Sequence, residues 1–351
     1  MKTRKISILL LALGALFFAS CSSTTPLQVL QPAQMVVPDH IKTVATLDRS
    51  KPEKGFENFL EGLITGEDIG QDREGRRFAL EGLSNSLTRT PRFDVKQTGI
   101  ELIGSRGGNS FAAPLEWREV EKICRDYAAD ALVTIETFDT DNNISYNERR
   151  EKRKDKDGKE YTDIKYDARL DMTMRIGWRF YDPKTKIILD EFTTNTQAND
   201  TQTDETRDKA LRRLYSQSSI TRKISQDAGA QYGMRIAPVW ITVYRTFYDS
   251  GKGNADEQMQ QAARLAKADQ WDRAAEIWRS VIANADSKTA GKAAYNMAVA
   301  SERAGLLESA LEWAQRSYTD FSNKKAQNYI HDIQIRISDR ERLKKQLKEK
   351  A

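Results

Sequence analysis

Histidine and cysteine are almost missing: the 351 residues hold two of each. His40 and His331 have no plausible ligands near them in sequence, which argues against a histidine-dependent catalytic triad and against a metal cluster. Phosphate-loop spacing is missing too. "GSRGG" at 104–108 and "SGKG" at 250–253 lack the required interval and the strand that would feed a helix, so both read as turns. "DTDNN" at 139–143 opens like a calcium loop, but Ile144 replaces the glycine at its sixth position and Arg150 the glutamate at its twelfth. No charge of one sign dominates either. The 56 Lys and Arg face 51 Asp and Glu, a formal net charge of +5, which carries no polyanion signal. In "NERREKRKDKDGKE" at 147–160 the aromatic residues do not interleave with the basic ones, so nucleic acid is not an expected partner. That run reads as a solvated hairpin tip, with docking of an anionic partner as the alternative. Finally, the apolar run from Ile6 to Phe18 stops well short of the roughly 20 residues a spanning helix needs.

What is present begins with that short run. Lys2, Arg4 and Lys5 precede it, and small Ala19 and Ser20 lead to Cys21, the pattern of a secretory signal peptide over residues 1–20. These residues resemble the bacterial lipobox, with Phe18 where leucine is usual. The resemblance implies that Cys21 is acylated and becomes the mature N-terminus. Several acyl chains, at about 0.8 kcal/mol for each buried CH₂, would hold the body at a bilayer surface without spanning it. The absence of Asp directly after Cys21 looks like outer-membrane sorting. The absence of an acidic cluster there argues against the surface export seen in Bacteroidota lipoproteins, so the periplasmic face is expected. Cleavage would remove three cations and no acid, lowering the formal charge from +5 to +2. With Cys21 lipidated, Cys124 has no intramolecular disulfide partner. Set among Val120, Ile123 and Tyr127 on a predicted helix, it reads as small core filler.

Residues 21–40, with three prolines, no helical period and almost no charge, read as a flexible tether. An α+β domain is expected over 41–250. "IKTVATL" and "RFDVKQT" read as strands, and "RRFALEGLSNSL" between them places Phe78, Leu80, Leu83 and Leu87 at helical spacing. A helix starting near Leu115 or Glu116 runs into a β-branched strand at Ala131 to Phe138. Alternating strands and helices imply a sheet with helices packed on it. In "ARLDMTMRIGWRF" the apolar residues from Ala168 to Phe180 alternate with Arg169, Asp171, Thr173, Arg175, Gly177 and Arg179, a strand with one dry and one wet face. "YDPKT" supplies a turn, and "KIILDEFTT" returns antiparallel. From Asp204 the chain reads as mostly helical, with Leu211, Leu214, Ile220 and Ile224 on one side and "SQSS" at 216–219 as an irregularity. "VWITVYRTFY" is then expected to complete the first domain's sheet near Tyr248.

From residue 255 to 351 the composition becomes alanine-rich and repeats. "AKADQWDRAAEIWRSVI" aligns with "ERAGLLESALEWAQRSY" at an offset of 36, bringing Ala274 onto Ala310, Trp271 onto Leu307, Ile277 onto Trp313 and Ala262 onto Ala298. This resembles the tetratricopeptide period, in which a small residue lets the two helices of a hairpin approach. Gly305 fits the turn between helices. Ala326, Tyr329, Ile330, Ile333 and Ile337 form the stripe of a capping helix.

The order of elements over residues 41 to 248 is similar to the periplasmic lipoprotein domains of the curli-secretion channel and the penicillin-binding-protein activators. The whole arrangement looks like an uncharacterised Bacteroidota lipoprotein family. Neither resemblance supplies a catalytic motif or a cofactor. The expected function is a non-enzymatic scaffold or adaptor, anchored at the outer membrane and facing the periplasm, that docks an envelope protein in a groove of its repeats. Gln258, Gln261, Asn296 and Arg303, on the first helix of each copy, are the candidate contacts. The alternative is an oligomeric subunit of a secretion or pore assembly, since an alternating strand such as Ala168 to Phe180 is long enough to cross a bilayer in a barrel.

Overall fold

The computed structural model describes residues 22–51, 71–104, 110–214 and 217–347. Residues 1–20, expected to form a signal peptide, and Cys21 lie outside the described residues. In chain order the elements are β1 (Ser22–Gln31), β2 (Thr43–Lys51), α1 (Gln71–Leu87), β3 (Asp94–Ile103), α2 (Trp117–Asp126), β4 (Ala131–Lys154), β5 (Glu160–Asp182), β6 (Ile187–Asp204), α3 (Arg207–Arg213), α4 (Gln217–Ile236), β7 (Val239–Tyr248), α5 (Ala255–Lys267), α6 (Trp271–Asn284), α7 (Ser287–Arg303), α8 (Leu307–Thr319) and α9 (Lys325–Leu347). Two compact units result. Among the described residues, one spans Pro32 to Val239 and the other joins Ser22–Gln31 with the chain from Trp240 onward. None of the described helices is long and apolar enough to cross a membrane.

The first unit is α+β. Its sheet runs β3-β2-β4-β5-β6, with β2 parallel to β3 and β4, and β4, β5 and β6 antiparallel. Period-two alternation puts Leu170, Met172, Met174, Ile176, Trp178 and Phe180 on one side, where α1 and α4 cover them and all are at most 1% exposed. The dry face that could have met lipid is thus occupied by protein core. Trp178 and Tyr232 stack with ring centres 4.9 Å apart. On the other side α2 packs Val120, Ile123 and Cys124 against Ala45, Leu47, Leu132 and Tyr181. Burial, reinforced by Asp130 and Asp182, pushes the Cys124 thiol up to about 12, so it stays protonated at neutral pH.

Three expectations change here. The helical stretch from Asp204, expected to be irregular at 216–219, breaks earlier than that, with α3 ending at Arg213 and α4 starting at Gln217. Leu211 is consequently exposed, and the buried stripe is Ile220, Ile224, Ala228, Tyr232 and Ile236 at intervals of four. The charged run at 147–160 is mostly strand rather than tip: the β4–β5 ladder continues to Lys154 opposite Glu160. The tether reading fails as well. Thr25, Leu27 and Val29 are buried and alternate with exposed Thr24, Pro26 and Gln28, a strand period that the prolines obscured. Beyond it, Ala33, Val37 and Ile41 are buried, and the Arg92 guanidinium donates to the carbonyls of Val37, Pro38 and Ile41.

The second unit carries β1 and β7 as a separate two-stranded sheet, so β7 does not complete the first unit's sheet. Gln28 lies beside Thr242 and Ser23 beside Asp249, so the strands run in opposite directions. The helices form two hairpins, α5–α6 and α7–α8, followed by α9. Ala274 and Ala310 are both fully buried, as are Ala262 and Ala298. Gly305 and Asp269, also 36 positions apart, both turn the chain at positive φ. On α9, Ala326, Tyr329 and Ile333 are buried, with Ile330 and Ile337 partly so.

Candidate functional site

The helix that should have lined the groove is covered. Thirteen residues of α7, between Thr289 and Glu302, are buried. Part of that cover is the β1–β7 ribbon. Phe247 packs edge-on to Trp271 with ring centres 5.4 Å apart, and Tyr248 meets Tyr295 at the same separation. Asn296, read from the sequence as a partner contact, is fully buried and holds the ribbon. Its Oδ1 accepts from the Tyr248 amide at 2.7 Å, and its Nδ2 donates to the Tyr248 carbonyl at 2.6 Å. A carboxamide offers both donor and acceptor and so matches one residue of extended chain. The chain's own strand therefore takes the contact that was expected for a partner. Replacing Asn296 with alanine leaves the half-buried Tyr248 amide and carbonyl without that match. It is expected to cost about 2 kcal/mol, read by urea unfolding and by faster hydrogen exchange at the Tyr248 amide.

The other predicted contacts do not converge. Arg303 donates to Asp269 at 2.5 Å and to the Pro26 carbonyl at 3.2 Å, with its guanidinium above the Trp271 ring. It belongs to the ribbon's attachment. Gln258 and Gln261 are exposed on α5. Of the four residues, these two are open to a partner.

Sequence reading missed a buried carboxylate at the centre of this attachment. Glu302 accepts from Arg245 of β7 through two nitrogens at 2.8 and 3.1 Å, from Tyr329 at 2.5 Å and from Arg336 at 2.7 Å. Burial opposes its ionisation, but the two arginines and the tyrosine outweigh that and hold the carboxyl below the usual carboxylate range. Arg245 also reaches Asp332 at 3.1 Å. Nothing in the local sequence marks Glu302, because the groups it binds lie 57, 27 and 34 residues away.

With its inward face fixed, the ribbon turns β7's alternate residues outward. Trp240 is 53% exposed and Tyr244 68% exposed, with exposed Thr242 and Thr246 between and beyond them. The only charge on β7 is Arg245, which points inward, and β1 carries none.

A second polar cluster lies in the α+β unit, at the C-terminal end of β2. Glu136 is the extra residue of a bulge in the β4–β5 ladder, and its side chain is fully buried. It accepts from Thr134 at 2.6 Å, Arg49 at 2.9 Å, Arg179 at 3.1 Å and Tyr181 at 3.2 Å. Arg179, expected on the wet face, is 2% exposed, because the segment carrying Phe111 and Ala112 closes over it. Its charge is also answered by Glu191 at 2.6 Å. Two cations and two anions balance, so the cluster reads as structural.

The remaining candidates are likewise engaged within the chain. His40 faces Asp182 at 3.1 Å, which also accepts from Thr185 and the Lys184 amide. In the β4–β5 arm, Glu148 pairs with Arg150, Glu151 with Arg149 and Arg153, and Asp163 with Arg153, all at 2.7 to 3.2 Å. No group of three or more metal-ligating side chains occurs among the described residues.

Residues 41–248 match the family model described as a domain of unknown function, DUF8603, and the chain belongs to that family. Residues 260–335 match a second such model, DUF6340. No curated protein matches. Among solved structures, a neuraminyllactose-binding hemagglutinin homolog from Helicobacter pylori is 14% identical, with a TM-score of 0.24 over 57% of this chain and 82% of that one. A PelC dodecamer from Paraburkholderia phytofirmans, a point variant, is 12% identical, with a TM-score of 0.23 over 61% and 99%. The PelC dodecamer from the same organism in another crystal form is 13% identical, with a TM-score of 0.20 over the same shares.

Proposed function

We propose that the protein is a non-enzymatic envelope lipoprotein, anchored through acylated Cys21 at the periplasmic face of the outer membrane, that docks a protein partner on its helical-repeat unit. The docking surface is the outward face of the β1–β7 ribbon, centred on Trp240 and Tyr244. The observation behind this is their exposure on a strand whose other face is locked by Asn296 and Glu302. Tryptophan and tyrosine dominate protein–protein hot spots, and a surface already rigid loses little freedom on binding. Gln258 and Gln261 on α5 are secondary contacts. Both buried polar clusters serve folding in this reading, which leaves the chain without a catalytic role.

The test is a photo-reactive side chain placed at Tyr244 in cells, compared with the same group at Lys96 in the other unit. A specific protein adduct is expected at 244. With the cross-linker moved to Gln258, the adduct formed there is expected to disappear in a Trp240→Ala, Tyr244→Ala double variant whose unfolding midpoint is unchanged. An adduct that survives both substitutions would show the docking face to be elsewhere. Anchoring is read separately: mass analysis of the mature N-terminus is expected to show acylated Cys21, and Cys21→Ser is expected to release the protein from membranes.

A further inference from the structure

The end of the ribbon nearest Cys21 is ringed by lysines. The Ser23 hydroxyl donates to Asp249 at 3.0 Å, which sets the start of β1 beside the turn that follows β7. There Lys292 donates to the Ser250 carbonyl at 3.0 Å and lies 5.4 Å from the centre of the Tyr248 ring. Lys325 lies 5.3 Å from the same ring. Lys267 approaches Asp249 at 3.9 Å. Exposed Lys288 follows Asp286, whose carboxyl is held below its usual range by hydrogen bonds from Thr289 and, more weakly, by the charge of exposed Lys252.

The acids among these lysines have partners inside the protein. Asp256 accepts from the Gly251 amide and from Gln260, and Asp286 accepts from the amides of Lys288 and Thr289. Five lysines against Asp249, Asp256, Asp286 and exposed Glu257, which follows Asp256 in the first turn of α5, leave this end net cationic. Because β1 begins at Ser22, directly after Cys21, no slack chain separates the acylation position from this surface.

We propose that this lysine-ringed end faces the anionic headgroups of a phospholipid bilayer and acts as a second membrane signal beside the acyl chains. A polybasic surface at a lipidated terminus is attracted within a Debye length of an anionic leaflet, and the attraction weakens with salt. The lysines also orient the unit, with the ribbon rising from the membrane and its aromatic face turned sideways toward a partner.

The position in the cell rests on the acylation of Cys21, but the charge does not, so the test removes the lipid. The mature chain carrying Cys21→Ser is mixed with phosphatidylglycerol-containing vesicles and, in parallel, with neutral phosphatidylcholine vesicles. Co-sedimentation with the anionic vesicles only is expected, falling about tenfold or more between roughly 0.05 M and 0.5 M salt. A Lys252→Glu, Lys288→Glu, Lys325→Glu variant is expected to lose about tenfold or more at low salt. The same three-charge reversal at Lys96, Lys122 and Lys184 serves as the control and should retain binding. Equal binding to neutral vesicles, undiminished binding by the first variant, or binding to a soluble polyanion without vesicle binding would each overturn the inference. An unmodified Cys21 in the native protein would overturn the anchoring reading and leave the vesicle result standing.

Discussion

Replacing Glu302 with alanine is expected to lower the stability of the helical unit by about 3 kcal/mol, the cost of removing the buried anion that Arg336 pairs with and that Arg245 shares with Asp332. Arg245 is 15% exposed and Arg336 20%, so solvent compensates little of the loss. The substitution also removes a side chain that ties β7, α7 and α9 together, so the ribbon should exchange its amide hydrogens faster than the rest of the unit. Tryptophan fluorescence during urea unfolding, followed at Trp271 and Trp278, measures the first effect. A loss below about 1 kcal/mol would mean that the ion cluster is peripheral to the fold.

The same residue predicts a pH dependence of defined sign. Its folded-state carboxyl titrates below the usual value, so its stabilising contribution is complete above the unfolded value of about 4.3. It is lost as pH falls through the depressed folded value. Glu302→Gln keeps the shape and removes the charge. The stability gap between wild type and Glu302→Gln should therefore be widest near neutrality and close on acidification. A gap that widened toward acid would reverse the assignment.

Gly229→Ala is the second large effect, located in the α+β unit. Alanine is the better helix former by about 1 kcal/mol, so propensity alone would make this substitution stabilising. Packing decides otherwise. A Cβ on Gly229 would stand 1.9 Å from the Ala79 carbonyl oxygen and 2.6 Å from the Leu83 amide nitrogen, and one on Gly82 would stand 2.2 Å from the Gln226 carbonyl oxygen. These neighbours are backbone and cannot rotate away, so α1 and α4 would have to separate and loosen the core over the sheet. A net loss of about 2 kcal/mol or more is expected in thermal or urea unfolding. A gain would mean that the helices separate at no cost.

Much of the architecture was legible because it depends on local period. Alternation from Ala168 to Phe180 identified β5, the helical spacing of Phe78, Leu80, Leu83 and Leu87 identified α1, and the 36-residue offset placed Ala274 and Ala310 at equivalent helix crossings. Where local cues compete, the reading failed. The prolines of residues 22–40 outweighed the period-two pattern of Thr25, Leu27 and Val29, because a strand in a two-stranded ribbon tolerates proline on its free edge. Arg179 kept its place in the alternation but lost its solvent, since a segment from elsewhere in the chain covers that stretch of strand.

The candidate site was less legible than the fold. Asn296 and Arg303 stood at the right helical positions for a groove, yet whether a groove position is open depends on what else the chain lays upon it. Composition and spacing by themselves determined the α+β class and the 36-residue helical repeat, while acylation at Cys21 is what the lipobox resemblance implies. Only the tertiary structure decided that β7 leaves the first unit's sheet to join β1, that Asn296 and Glu302 hold that ribbon, and that Trp240 and Tyr244 remain outside. The physical reason is range: strand and helix periods act between residues two to four apart, whereas a buried carboxylate and its arginines, drawn from three separate elements, meet only once the whole unit has closed.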